Sequence, residues 1–259
     1  MRYSNSLGLR NELWSNGTTL TNRNIESILK YCDRFVLHLD TINPDRFNLV
    51  QDCKKIIKQN HQRILKGFDN LLARGFPSSD IRINITLARR TLPDLESTMK
   101  YFVTDRGVQT AILIPLFATG RGRQASETEF LSTEELYHAF KKRAEIENRP
   151  ELILLGTSEF CKQYQLTTAY ITAKGEIIPY AGINTPVGNI YSDDLRLVLE
   201  NSFDKLSFAE MVNDTGERNR IKGHCGICEN SRYCFGTRAN SFFTTGSLSN
   251  SDLSCWKNK

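Results

Sequence analysis

The sequence predicts an α/β fold followed by a small cysteine-rich C-terminal segment. Residues 9 to 117 alternate short apolar strand patterns with amphipathic helical patterns. This alternation favours a parallel sheet with right-handed crossovers. From His224 onward the chain is short of apolar residues, yet it contains Cys225, Cys228, Cys234 and Cys255. A bound metal or cluster would replace the missing core of that segment.

Four strands and three helices are predicted in the α/β part. The strand patterns cover residues 9–14, 34–40, 80–87 and 109–117. Helices are predicted from Thr21 or Asn22, after Pro44 as far as Gly75, and from Pro93. In such sheets the chemistry lies at the carboxyl ends of the strands. Those ends are residues 15–17, 38–41, 86–90 and 118–122.

The regular alternation of strand and helix patterns ends near residue 123. Ser132 and Glu135 form a capping box that predicts a helix to about Ile146. Residues 167–172 and 176–180 predict a hairpin, and residues 193–201 a further helix. The boundary between the α/β part and the C-terminal part is therefore expected between residues 123 and 150.

Composition limits the classes of function. The chain has 259 residues, of which 39% are apolar, and a formal net charge of +5. Basic residues are scattered, which argues against a nucleic-acid interface. No run of eighteen apolar residues predicts a membrane span, and the N-terminus lacks the apolar stretch of a signal peptide. We expect a cytoplasmic protein with no membrane and no nucleic-acid partner.

The four C-terminal cysteines have the spacing C-x2-C-x5-C-x20-C. Four thiolates that converge on one point form a tetrahedral sulfur site, which indicates zinc or an iron–sulfur cluster. In a reducing cytosol such a group is a metal site rather than a disulfide framework. Cys32 and Cys53 lie on predicted helix faces and are interpreted as core residues.

With these motifs in place, the chain resembles the radical SAM superfamily with a SPASM-type C-terminal extension, a group that includes sulfatase-maturing enzymes and peptide maturases. Residues 13–18 (LWSNGT) resemble its "TNGT" strand end. Residues 37–40 (LHLD) resemble its "SLD" strand end, with His38 in place of serine. Residues 83–86 and the Gly188-Asn189 pair also fit the family pattern.

The resemblance implies a partial (β/α) radical SAM barrel that lacks its first strands, plus the small extension. The implied domains are residues 1–123 for the barrel, 124–160 for a linker helix region and 161–259 for a SPASM-like domain. S-adenosylmethionine (AdoMet), in a full-length form, would lie against five residues at two strand ends: Ser15, Asn16, Gly17, His38 and Asp40. An ordinary turn after a strand is the alternative for residues 15–17.

The resemblance also implies one auxiliary [4Fe–4S] cluster. Its ligands would be Cys225, Cys228, Cys234 and Cys255, with zinc as the alternative. Tyr180 and Arg238 stand where relatives with a second auxiliary cluster have cysteines, so a second cluster is not expected. Cys161 matches one remaining ligand position of that second cluster and is interpreted as a half-buried thiol without partners.

Radical SAM chemistry also requires a C-x3-C-x2-C motif, whose cluster delivers the electron that cleaves AdoMet. That motif and the family's "GGE" strand end are absent from this sequence. The sequence favours an N-terminally truncated product over a degenerate paralogue, and predicts no AdoMet cleavage by this chain alone. No catalytic residue is identified.

Two functions are therefore compared. The first is a radical SAM maturase that abstracts a hydrogen atom from a peptide or protein substrate, with an electron-donor protein as a second partner. The second is a non-catalytic module that binds zinc or an iron–sulfur cluster together with a peptide or another partner.

Overall fold

The computed structural model describes most of the chain as two compact units. The described residues are 1–50, 57–118, 122, 127–158, 168–178, 185–201, 221–234 and 236–258, without the side chains of 48–50 and 57–59. The first unit comprises residues 1–116, 128–131 and 138–152, and the second comprises residues 117–127, 132–137 and 153–259.

The first unit alternates strands and helices as the sequence predicts. Its strands are β1 (Glu12–Ser15), β2 (Arg34–His38), β3 (Ile81–Leu87) and β4 (Thr110–Pro115). Its helices are α1 (Arg2–Ser6), α2 (Asn22–Tyr31), α3 (Pro44–Val50), α4 (Ile57–Ala73) and α5 (Leu95–Met99), which continues as a π-helical turn over Lys100–Asp105. Helix α6 (Thr133–Ile146) begins in the second unit and ends in the first.

The four strands form one parallel sheet in the order β1-β2-β3-β4. This confirms the predicted α/β class, since each strand pairs with the next one in sequence through a helical crossover. The register places His38 of β2 beside Asn84 of β3. Because the strands are parallel, their carboxyl ends meet at one edge.

One face of this sheet carries the hydrophobic core. Leu37 and Ile64 of helix α4 both border Gly17, since a Cβ at Gly17 would lie 2.6 Å from Leu37 and 3.3 Å from Ile64. Phe68 of α4 packs edge-on against Phe102, with ring centroids 5.2 Å apart. These side chains are essentially inaccessible to solvent, and so are the inward residues of the two central strands: Phe35, Ile81, Ile83, Ile85 and Leu87.

The opposite face is largely polar along β1 to β3. Alternation places Glu12, Arg34 and Arg82 there, and Glu12 forms ion pairs with both arginines at 3.4 and 3.9 Å. Trp14, on the same face of β1, keeps 45% of its surface exposed. Parallel sheets are normally covered by apolar residues on both faces, and the polar residues on this face depart from that pattern.

A buried ion pair joins α6 to β4. Glu147 accepts hydrogen bonds from Thr110 Oγ1 at 2.7 Å and from the Ala111 amide at 2.9 Å. Arg143 lies 3.3 Å from the same carboxylate, and the two side chains are only 5% and 2% exposed. The carboxylate therefore caps the start of β4 from the end of the helix.

The second unit contains a small antiparallel sheet and short helices. Its strands are β5 (Tyr170–Ile171), β6 (Glu176–Ile178) and β7 (Gly188–Asn189), and its later helices are α7 (Leu195–Asn201), α8 (His224–Ile227) and α9 (Arg238–Thr245). Strands β5 and β6 are the predicted hairpin, paired in antiparallel fashion with Tyr170 opposite Ile178.

Most predicted helix boundaries agree with the structure. Thr21 caps α2 by accepting from the Asn24 amide. Ser132 and Glu135 form the predicted capping box, with reciprocal bonds of 2.8 and 3.2 Å. The first strand differs, because it begins at Glu12 rather than at residue 9. The preceding helix α1 was not predicted, since it buries no residue and has no apolar period.

Several sequence interpretations lie outside the described residues. They concern Cys53, Cys161, Tyr180 and the 119–121 part of the turn after β4. The predicted domain boundaries at residues 123 and 160 stay predictions. Among helices in the described part of the chain, none is long and apolar enough to span a membrane.

Candidate functional site

Three polar side chains meet at the carboxyl ends of β2 and β3. His38 Nε2 lies 3.0 Å from Asp40 Oδ1, and that oxygen accepts a hydrogen bond of 2.7 Å from the Thr86 amide. Thr86 Oγ1 lies 3.2 Å from the same histidine nitrogen. The carboxylate is therefore fixed by the next strand, and the imidazole is fixed by the carboxylate.

This cluster borders an open cavity of about 370 Å³, a volume that includes solvent-exposed space. Polar groups from three segments converge on it beside an apolar wall. Its lining residues are Asn16, Thr18, His38, Leu39, Asp40, Phe47, Asn60 and Ile64.

The turn after β1 is shaped by its own side chains. Asn16 Oδ1 accepts from the Thr18 hydroxyl at 2.8 Å, and Ser15 Oγ accepts from the Gly17 amide at 3.1 Å. Gly17 has a φ of 71°, and a Cβ there would lie 2.6 Å from Leu37. Of the predicted site residues, Asn16, His38 and Asp40 line the cavity, whereas Ser15 and Gly17 set the turn.

The electrostatics of the cluster favour a protonated His38. Burial opposes the charged imidazole, but the hydrogen bond and the negative charge of Asp40 outweigh it, so the pKa of His38 is raised. Imidazolium and carboxylate therefore stabilise each other most below the usual histidine value of about 6.5. That stabilisation is lost as the pH rises through the higher folded-state pKa of His38.

We expect Asp40→Asn to lower the pKa of His38 below the ordinary histidine value, because burial is then unopposed. The measurement is a titration of the His38 ring signals by NMR. Asp105→Asn is the control, since Asp105 is exposed and precedes β4 at the other end of the sheet. An unchanged His38 titration in Asp40→Asn would contradict the pairing.

Three of the four C-terminal cysteines, Cys225, Cys234 and Cys255, lie beside a buried polar centre in the second unit. Cys225 and Cys234 are buried, and Cys228 and Cys255 are partly buried. The Asp252 amide donates to Cys225 Sγ at 3.4 Å, and the Gly236 amide donates to Cys234 Sγ at 3.1 Å. Backbone amides directed at sulfur are the outer-shell support that thiolate ligands need.

Cys255 lies against Gly156, where a Cβ would collide with its sulfur. Burial raises the pKa of the Cys255 thiol to about 11, and the charges of Asp252 and Cys225 act in the same direction. Without a metal this thiol is protonated at neutral pH. Metal ligation at Cys255 therefore requires a strongly bound cation that displaces the proton.

Arg238 and Asp252 are both fully buried beside these thiols. Asp252 Oδ2 accepts from the Thr237 amide at 2.8 Å, and its Oδ1 accepts from Asn240 Nδ2 at 2.6 Å. Ser254 and Thr157 add further bonds to the same carboxylate. Asp252 thus joins the 157, 237–240 and 252–255 segments around the cysteines.

Within the part of the chain that the structure describes, no three His, Cys, Asp or Glu side chains converge closely enough to hold one metal ion. The ligand set of Cys225, Cys228, Cys234 and Cys255 therefore stays a prediction, for an iron–sulfur cluster as for zinc.

No family model matches the chain. A sequence relative is an AdoMet-dependent heme synthase of Methanosarcina barkeri (strain Fusaro / DSM 804). The two sequences are 25% identical over an alignment of 272 positions, which covers 95% of this chain and 74% of the relative. Among solved structures, anSMEcpe with bound AdoMet matches with a TM-score of 0.63 at 16% identity, covering 99% of this chain and 70% of that one. The chain resembles the radical SAM superfamily in sequence and in fold.

A second structure of the same neighbour contains AdoMet and the Kp18Cys peptide, and it also matches with a TM-score of 0.63 at 16% identity. It covers 99% of this chain and 74% of that chain. These matches confirm the radical SAM resemblance and the partial-barrel fold expected from the strand-end motifs. The described cavity lies at the carboxyl edge of the parallel sheet, where ligands of such sheets bind.

Three residues at the cavity and beside the cysteines were not predicted from the sequence. Thr86 was recognised only as part of a strand end, since its partners depend on the register between β2 and β3. Asn84 lies beside His38 with a buried side-chain oxygen that has no hydrogen-bond partner. Asp252 gave no signal, because an aspartate in a polar loop resembles a surface residue.

Proposed function

We propose that this chain is the AdoMet- and substrate-binding part of a radical SAM enzyme that abstracts a hydrogen atom from a peptide or protein side chain. The observation that carries the proposal is the His38–Asp40–Thr86 cluster at the cavity. The cluster combines a fixed carboxylate with a histidine whose pKa is raised. The turn of residues 15–18, with its side-chain oxygens, lies beside the same cavity. The sequence and fold matches to AdoMet-using proteins support it.

The residues have distinct parts in this proposal. AdoMet, when reductively cleaved, supplies the radical that abstracts the hydrogen atom. Asp40 accepts hydrogen bonds from donor groups of AdoMet, and His38 holds a proton beside it. Asn16 and Thr18 border the same space from the turn after β1.

In the second unit we propose that Cys225, Cys228, Cys234 and Cys255 hold one auxiliary [4Fe–4S] cluster. The amides of Gly236 and Asp252 already donate to two of these sulfurs. This cluster would conduct electrons from a donor protein or bind substrate. A peptide substrate is supported by the bound Kp18Cys peptide in the neighbouring structure.

The sequence match favours a second candidate. A relative named as an AdoMet-dependent heme synthase indicates a tetrapyrrole substrate for the same barrel face. An absorption titration with a porphyrin carboxylate distinguishes the candidates, because tetrapyrrole binding shifts the visible bands and a preference for peptide gives no shift.

We expect the chain to bind AdoMet without cleaving it, since its 259 residues contain no C-x3-C-x2-C motif. Asp40→Asn should weaken AdoMet binding at least about tenfold, because a charge-assisted hydrogen bond contributes roughly 1.5–3 kcal/mol. The asparagine oxygen can still accept from the Thr86 amide, so the fold is preserved. Isothermal titration calorimetry measures the affinity.

Asp105→Asn is again the matched control and should bind AdoMet as the wild type does. Equal affinity of wild type and Asp40→Asn would remove Asp40 from the site. No binding of AdoMet by the wild type, in protein shown to be folded by circular dichroism, would overturn the proposed function.

A further inference from the structure

Arg238 is a fully buried arginine whose charge is only partly satisfied. Its relative exposure is 0%. Nη1 donates to the carbonyl oxygens of Leu248 and Asn250, both at 2.7 Å. Nε and Nη2 are buried and have no hydrogen-bond partner. Arginine is almost never fully buried unless it is paired, because an unmatched buried donor is strongly destabilising.

The unmatched side of the guanidinium faces the thiols. A Cβ at Gly236 would lie 2.9 Å from Arg238 Nη2 and 3.5 Å from Cys225 Sγ, so both atoms border one small space. The groups that border Arg238 here include the sulfurs of Cys225 and Cys234 as well as the carboxylate of Asp252.

The carboxylate of Asp252 does not accept the remaining hydrogen bonds of Arg238. Its oxygens already accept from Thr237, Asn240, Ser254 and Thr157, and no ion pair between Asp252 and Arg238 is present among the described residues. The two donors of Arg238 thus require another acceptor, and that acceptor must be buried beside the cysteines.

We propose that Arg238 donates its Nε and Nη2 hydrogens to thiolate or sulfide sulfurs of the auxiliary cluster and thereby raises the cluster's reduction potential. The inference rests on the proposed function, since it requires the cluster. A cluster core held by four thiolates is anionic and gains a further negative charge when it takes an electron. A fixed positive charge in a low-dielectric interior stabilises the reduced form more than the oxidised form.

The proposal also explains why residue 238 is an arginine. By the resemblance, a cysteine is expected here in relatives with two auxiliary clusters, and arginine cannot ligate iron as a thiolate does. It supplies charge and hydrogen bonds in place of a ligand. Lysine would supply the charge without the planar pair of donors.

The test is a potentiometric titration, followed by electron paramagnetic resonance, of wild type, Arg238→Met, Arg238→Lys and Arg232→Met. All proteins are reconstituted with iron and sulfide without oxygen. Arg232 is the matched control, because it is exposed and lies two residues before Cys234. In Arg238→Met the ratio of reduced to oxidised cluster at a fixed potential should fall at least about tenfold, which is about 59 mV for one electron.

Arg238→Lys should show a smaller fall, and Arg232→Met should match the wild type. An unchanged potential in Arg238→Met with a full cluster would overturn the inference and leave Arg238 as a clamp on the carbonyls of Leu248 and Asn250. A wild type that takes up no cluster would instead overturn the proposed cluster itself. Iron and sulfide analysis of the same samples separates these two failures.

A measurement on the wild type avoids any loss of folding in the variants. Protein labelled with ¹⁵N in the arginine side chains should show ¹⁵N hyperfine coupling to the reduced cluster by electron–nuclear double resonance. Arg232→Met should keep this coupling. Absence of the coupling in a wild type with a full cluster would overturn the inference.

Discussion

Cys228→Ala should lose nearly all of its iron and sulfide after reconstitution without oxygen, from about four of each per chain in the wild type to about zero. The expectation follows from the pattern of four thiolates, in which each holds a different iron. Cys228 is only partly buried, so removal of its sulfur leaves little cavity and the second unit keeps its packing. Metal analysis and visible absorption near 400 nm measure the loss.

Cys32→Ala is the matched control. That thiol donates to the carbonyl of Arg34 at 2.8 Å in the first unit and should leave the iron content unchanged. Equal losses in both variants would contradict the ligand assignment. One zinc per wild-type chain without sulfide would favour the non-catalytic metal-binding module over the enzyme.

Glu147→Ala should lower the free energy of unfolding by about 3–5 kcal/mol, the range for breaking one partner of a buried ion pair. The change removes the carboxylate that lies 3.3 Å from the buried guanidinium of Arg143, which keeps its bond to Thr110 Oγ1 at 3.2 Å. It also removes the acceptor of the Ala111 amide at the start of β4. Chemical denaturation followed by circular dichroism measures the difference.

The neighbouring Glu145 provides the comparison. It pairs with Lys142 at 3.3 Å, but both side chains are well exposed. Such surface pairs contribute little, so Glu145→Ala should change stability by less than about 1 kcal/mol. Similar effects of the two substitutions would show that the carboxylate of Glu147 does not cap β4.

Local sequence patterns predicted much of the fold. Period-two and helical patterns located the four parallel strands and their crossovers, and the Thr21 cap and the Ser132–Glu135 box marked helix starts. His38 and Asp40 were expected on one face, because they are two residues apart in an extended segment. The structure places them 3.0 Å apart.

Contacts between distant segments were not predictable in this way. Thr86 joins the cluster only through the register of β2 against β3, which no local pattern specifies. The burial of Arg238 was equally hidden, because arginine in a polar segment is expected at the surface. The sequence did mark its position as unusual, since a cysteine is expected there in relatives with two clusters.

The two faces of the parallel sheet constrain the sequence to different degrees. The apolar face holds the helices, so substitutions there alter stability. On the other face Trp14 is 45% exposed and donates to Glu12, which pairs with Arg34 and Arg82, while Arg82 also donates to Gln109. Surface substitutions away from the core usually change stability by only about 0.5 kcal/mol. Single changes at these partly exposed positions can therefore be accepted without a compensating change in the core.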